Sequence, residues 1–189
     1  GMASTGRNQQ HLRLARNLAA QHDYSLIAAE QYLAVAATLT DEAECRQAVG
    51  LFKEAAARSR ILNNAVAERF LVAALQVLRS VQTSNDAQEL FDLEIAQHAI
   101  LYSLGRLEES DAVYDSIVAR CTNPIDLAEP AGIQMFSLTR RSRYSESMEL
   151  GLTLLCRLGL KKPIDTRPAI DVGLARLTEW IQSDNPMAD

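Results

Sequence analysis

The chain has 189 residues, 48% of them hydrophobic, with 19 Lys or Arg against 24 Asp or Glu for a formal charge of −5. This is the balance of a globular chain, and it excludes a disordered tail or a basic nucleic-acid binder. Gly (8) and Pro (5) are scarce, while 28 Ala and 26 Leu make up more than a quarter of the residues, which favours an all-α fold over a β-sandwich. Cys45, Cys121 and Cys156 are too far apart for a zinc ribbon or a redox pair, and read as small hydrophobes in a reducing compartment. Residues 1–6 lack the apolar core of a signal peptide, and apolar runs such as Leu71 to Leu75 fall far short of the roughly 20 residues of a membrane span. The expected location is therefore cytoplasmic, with no membrane partner.

Gly1 before Met2 reads as a tag remnant, so residues 1–6 are expected to be disordered and residues 7–182 to form one domain. Apolar spacing predicts a first helix over Gln9 to Gln21, with Leu12, Ala15, Leu18 and Ala19 on one face. Asp23 is expected to cap a second helix to about Ala37, turning Leu26, Ile27, Ala29, Leu33 and Ala36 inward. Thr40-Asp41-Glu42 opens a third helix to about Arg60, through Cys45, Ala48, Val49, Phe52, Ala55 and Ala56. Asn63-Asn64 starts a fourth helix to about Val81, with Val66, Phe70, Ala73, Ala74 and Val77 on its stripe. The cap Thr83-Ser84-Asn85-Asp86 leads to a fifth helix, Ala87 to Leu104, stopped by Gly105 in a left-handed conformation. A sixth spans Leu107 to Cys121. Asn123-Pro124 opens a seventh to about Arg141, with a kink or broken first turn expected at Pro130. The eighth runs from Ser145 to Leu158 and ends at Gly159. A basic linker, Lys161-Lys162-Pro163, precedes a ninth helix, opened by Asp165 or Thr166 and striped by Ile170, Leu174, Leu177 and Ile181. Residues 183–189 are expected to fray.

Two segments repeat. Gly105-Arg106-Leu107-Glu108-Glu109-Ser110, leading to Tyr114 and Ile117, matches Ser142-Arg143-Tyr144-Ser145-Glu146-Ser147, leading to Gly151 and Leu154, at an offset of 37 residues. Ala67-Glu68-Arg69-Phe70-Leu71 is a degenerate earlier copy. The offset suits a tetratricopeptide-like array, in which a small residue at the helix crossing lets one hairpin stack on the next. The expected fold is an all-α superhelix of helical hairpins, about nine helices in all, with Trp180 covering the core at its end or, with Leu177 and Ile181, forming a second contact surface.

The chain also resembles the tetratricopeptide-like helical segment of bacterial multidomain signalling ATPases and kinases, and the helical domain of maltose-type ATP-dependent transcriptional regulators. The residues carrying the likeness are His11-Leu12-Arg13-Leu14-Ala15-Arg16, Leu39-Thr40-Asp41-Glu42-Ala43-Glu44, Ala67-Glu68-Arg69-Phe70-Leu71 and Gly105-Arg106-Leu107-Glu108-Glu109-Ser110. To these belong Arg143 to Gly151 and Leu155-Cys156-Arg157-Leu158-Gly159-Leu160. Pro130 departs from the unbroken helix that the family would show. The resemblance implies a non-catalytic scaffold for protein–protein or interdomain contacts in bacterial signal transduction. The alternative it implies is a ligand-sensing regulatory domain. With no P-loop motif in the sequence, ATPase or kinase activity would belong to neighbouring segments.

The residues themselves suggest no catalytic centre, cofactor or metal site. His11, His22 and His98 lack metal-site spacing, and no nucleophile motif is present. Glu108-Glu109 and Asp41-Glu42 read as first-turn acids, and Arg140-Arg141-Ser142-Arg143 as cations at a helix end, with a local anion or acidic-partner site as the alternative. In a stack of hairpins the first helix of each pair lines the concave side. The candidate binding residues are therefore Glu94, Gln97, His98 and Tyr102 of the fifth helix and Gln134, Thr139 and Arg140 of the seventh. The expected partner is a protein or neighbouring domain, not nucleic acid, with self-association into a homodimer left open.

Overall fold

A computed structural model describes residues 2–81, 86–161 and 167–183. Among them are nine α-helices and no strand: α1 Met2–Ala19, α2 Ser25–Leu33, α3 Glu42–Ser59, α4 Asn64–Ser80, α5 Ala87–Ser103, α6 Leu107–Arg120, α7 Ala128–Arg140, α8 Tyr144–Arg157 and α9 Arg167–Ser183. The protein is all-α. Helices pair as α1–α2, α3–α4, α5–α6 and α7–α8, and each of these hairpins packs on the next.

The helix starts are set by short polar side chains. Asp41 accepts a hydrogen bond from the Glu44 amide at 2.8 Å, and Asn63 accepts from the Ala65 and Val66 amides. All six residues foreseen on the inner face of α3 are buried, as are Phe70, Ala73, Ala74 and Val77 of α4. Pro130 is accommodated by a break. A 3-10 turn, Pro124–Leu127, is capped by Asn123, and α7 then begins at Ala128. Pro130 thus falls in the first turn of α7, where its missing N–H leaves no helical bond unmade.

Several boundaries differ from expectation. Helix α1 begins at Met2, where the spacing predicted a start at Gln9. Asp23 lies in a 3-10 turn, His22–Tyr24, and does not cap α2; Tyr24 occupies that position without a side-chain bond. The inner face of α2 is Ser25, Ala28, Ala29 and Tyr32, and Ile27 is exposed. The helix is rotated so that fully buried Tyr32 donates its hydroxyl to Glu44 at 3.2 Å. Burial, with Glu44 adding, pushes this phenol up to about 12. Asp86 precedes α5 but its carboxylate binds Arg46 of α3 at 2.7 Å instead of capping. The rest of that expected cap, 83–85, and the linker residues 162–166 lie outside the described residues, as do 184–189.

The repeat is visible as matched hydrogen bonding at the 37-residue offset. The Arg106 amide donates to Leu101 O and the Arg143 amide to Leu138 O; Gly105 N donates to Tyr102 O and Ser142 N to Thr139 O. Gly105 (φ 74°) and Ser142 (φ 60°) both turn left-handed. Each following arginine then closes on a carboxylate three residues on, Arg106 on Glu109 and Arg143 on Glu146, both at 2.7 Å. Ser110 and Ser147, the small residues at the crossings, are buried and donate to the His98 and Met135 carbonyls. One hairpin turn is therefore encoded twice with the same backbone and side-chain chemistry.

Apolar packing is unevenly shared. One large cluster runs from Ala15 to Ile100 through α1–α5, whereas a small one, Phe91, Ile117 and Leu127, serves the second half. There, buried polar groups occupy much of the interface: Glu94, His98, Ser110, Gln134, Ser137 and Ser147. Because a buried polar group is costly unless bonded, this half is held by a specific network.

Candidate functional site: the α6–α8 groove

The network starts at His98, which is fully buried on α5. Its Nε2 donates to the Gln134 side-chain carbonyl on α7 at 3.3 Å, and the Gln134 amide donates to Asp111 of α6 at 2.6 Å. Asp111 also accepts two hydrogen bonds from Arg141 at the end of α7, both at 2.7 Å. Such forked arginine–carboxylate pairs fix orientation as well as charge. Arg141, chiefly, and Gln134 hold the Asp111 carboxyl below its usual range, against the opposing effect of burial. Burial holds the His98 imidazole below its usual value, with Gln134 opposing. The ring is therefore neutral near pH 7, with its proton on Nε2. Its Nδ1 is left as a buried acceptor without a partner among the described residues. The ring of Tyr114, whose phenol is pushed up by burial, lies 5.6 Å from it.

Above this network is a groove of about 520 Å³ between α6, α7 and α8. Tyr114, Val118, Leu127, Leu138, Leu150 and Leu154 supply apolar surface, and buried Gln134 with half-buried Asp111 the polar end. Exposed Asp115, Arg143, Glu146, Glu149, Thr153 and Arg157 form the rim. Gly151 brings α8 close to α7: a β-carbon there would sit 2.9 Å from the end of the Met135 side chain. The arrangement offers a greasy floor and alternating charges, which can hold an amphipathic chain or a medium-sized ligand. It offers no nucleophile–base pair. Among the described residues, no group of three His, Cys, Asp or Glu could hold a metal ion, and no helix is long and apolar enough to cross a membrane.

The residues chosen from the sequence do not form a single exposed concave face. Glu94, His98 and Gln134 are buried between helices. Glu94 receives Arg79 of α4 at 2.9 Å and also Arg120 of α6, so it fastens three helices. Gln97 and Tyr102 are half-buried, and Thr139 and Arg140 are exposed. Only His98 and Gln134 come together through a bond. The reason is that α5 is covered by α4, α6 and α7, so its polar positions turn into interfaces. The basic run is divided: Arg141 and Arg143 are committed to Asp111 and Glu146, which removes the anion-site alternative for those two. Reasoning from first helices missed Asp111, Tyr114, Glu149 and Arg157 on the second helices. The signal for Glu149 and Arg157 is a polar stripe, Glu146, Glu149, Thr153 and Arg157, at helical spacing along α8.

No family model, curated protein or solved structure matches the chain.

Proposed function

We propose that this chain is a non-catalytic helical-repeat scaffold of bacterial signal transduction that receives a protein segment, from a partner or a neighbouring module, in the α6–α8 groove. The observation that carries this reading is the pairing of an apolar floor with a rim of exposed, opposite charges on two consecutive second helices. Helix-in-groove recognition uses the same combination, with apolar anchors for affinity and charges for register. Amphipathic peptides selected by display on the wild-type chain test it by fluorescence anisotropy. Reversing Glu149 and Arg157 (Glu149→Arg with Arg157→Glu) is expected to weaken binding at least about tenfold, in line with loss of charge pairs at an interface, while leaving the melting temperature unchanged. Failure to select any binder, or binding blind to the reversal, overturns the reading.

The alternative, a ligand-sensing regulatory domain, is favoured by one feature: the unpartnered Nδ1 of His98 beside a groove whose volume suits a small molecule. A thermal shift by a metabolite that is abolished in Gln134→Leu, itself checked for folding, would select this reading instead.

A further inference from the structure

The repeat exposes a mismatch at the end of the stack. At the 37-residue offset, Ala99, Asp111 and Val118 of the third hairpin correspond to Phe136, Met148 and Leu155 of the fourth. Ala99 is buried, Asp111 is bound by Arg141, and Val118 packs on the Phe91–Ile117–Leu127 cluster. The fourth hairpin has larger apolar residues at these positions, yet Phe136 and Met148 are each 67% exposed and Leu155 42%. This is the stacking flank of a hairpin, left open by the described residues. The acid that pairs with the following hairpin at Asp111 has become methionine, so the flank is built for an apolar cover.

The same chain carries a cover that it does not apply. α9 has Ile170, Leu174 and Leu177 at i, i+4 and i+7, and each is more than half exposed. Every described side chain from Ile170 to Trp180 faces solvent. A 17-residue helix is marginal in water without packing of its apolar face. A single chain therefore leaves two complementary apolar surfaces unmet.

We infer that α9 of a second copy covers the Phe136–Met148–Leu155 flank, reciprocally, in a two-fold exchange. The exchange extends an interface already present in the molecule, since α7 packs on α5 and α6 just as α9 would pack on α7 and α8. Reciprocity satisfies both surfaces of both copies, so assembly closes at the dimer and does not run on into a fibre. The inference is independent of the α6–α8 groove, which lies on the opposite flank of α8.

Light scattering on the full chain tests it, with an expected mass of twice the 20.8 kDa of one chain. Two full-length variants, Phe136→Glu with Met148→Glu and Leu174→Glu with Leu177→Glu, alter exposed residues and are each expected to be monomeric with unchanged helical circular dichroism. Mixed, they retain one good flank and one good α9 between them, and a one-to-one complex is expected. A wild-type chain that stays monomeric overturns the inference, whether its α9 proves protected from hydrogen exchange by docking on its own chain or unprotected. A dimer that survives Leu174→Glu with Leu177→Glu overturns it as well, by showing flank-to-flank association.

Discussion

Removing the two arginines that bind Glu94 is expected to cost more than removing Glu94 itself. The carboxylate is 2% exposed, while the Arg79 and Arg120 side chains are 53% and 43% exposed. In Glu94→Ala both guanidiniums can turn to water, so the loss is that of the charge-assisted bonds and a small void, about 2 kcal/mol. In Arg79→Ala or Arg120→Ala alone, one cation remains on the carboxylate and the cost is about 1 kcal/mol. With both removed, Glu94 is trapped among α4, α5 and α6 as a buried charge without a cation. The cost then approaches the roughly 3–5 kcal/mol of breaking a buried pair, well above the sum of the single variants. Urea unfolding followed by helical circular dichroism measures all four variants, and the excess is the coupling energy of the double-mutant cycle. A double variant no less stable than Glu94→Ala would refute the argument, because it would mean that the carboxylate reaches water or tolerates isolation.

The matched turns make a paired prediction. Ser142→Gly relieves a left-handed residue and is expected to stabilise by about 1 kcal/mol, while Gly105→Ala, at φ 74° in open space, is expected to destabilise by about as much; equal signs in thermal unfolding would contradict the equivalence of the turns. The buried imidazole of His98 predicts a pH dependence. Between its lowered folded value and about 6.5 the unfolded chain binds the extra proton, so this contribution is complete above about 6.5 and is lost as pH falls through that window. His98→Gln, which cannot titrate, is expected to flatten the stability profile there, and an unchanged slope in urea titrations across that range would sink the assignment.

Much of the architecture was legible because it depends on local chemistry. Asp41, Asn63 and Asn123 mark helix starts through their own backbone-directed bonds, and Gly105 and Gly159 mark stops through positive φ. The inner face of α3 is readable as a stripe because one side of that helix meets the large apolar cluster. The placement of Pro130 in a broken first turn follows from its missing N–H. The site was less legible. The helical period gives the spacing of positions on a face but not which face meets a neighbour, and α2 shows the consequence: Tyr32 turns in and Ile27 out.

The sequence alone determined that this chain is helical, where most of its helices begin and end, and that one hairpin turn is written twice, because caps, glycines and breakers act within a few residues of themselves. Only the tertiary structure decided that Glu94, His98 and Gln134 are interior, that Asp111 joins Arg141 across 30 residues, and that the fourth hairpin and α9 leave their apolar faces bare. Those outcomes depend on how far each helix is rotated when hairpins stack, a quantity fixed by the fit of whole surfaces and carried by no single residue.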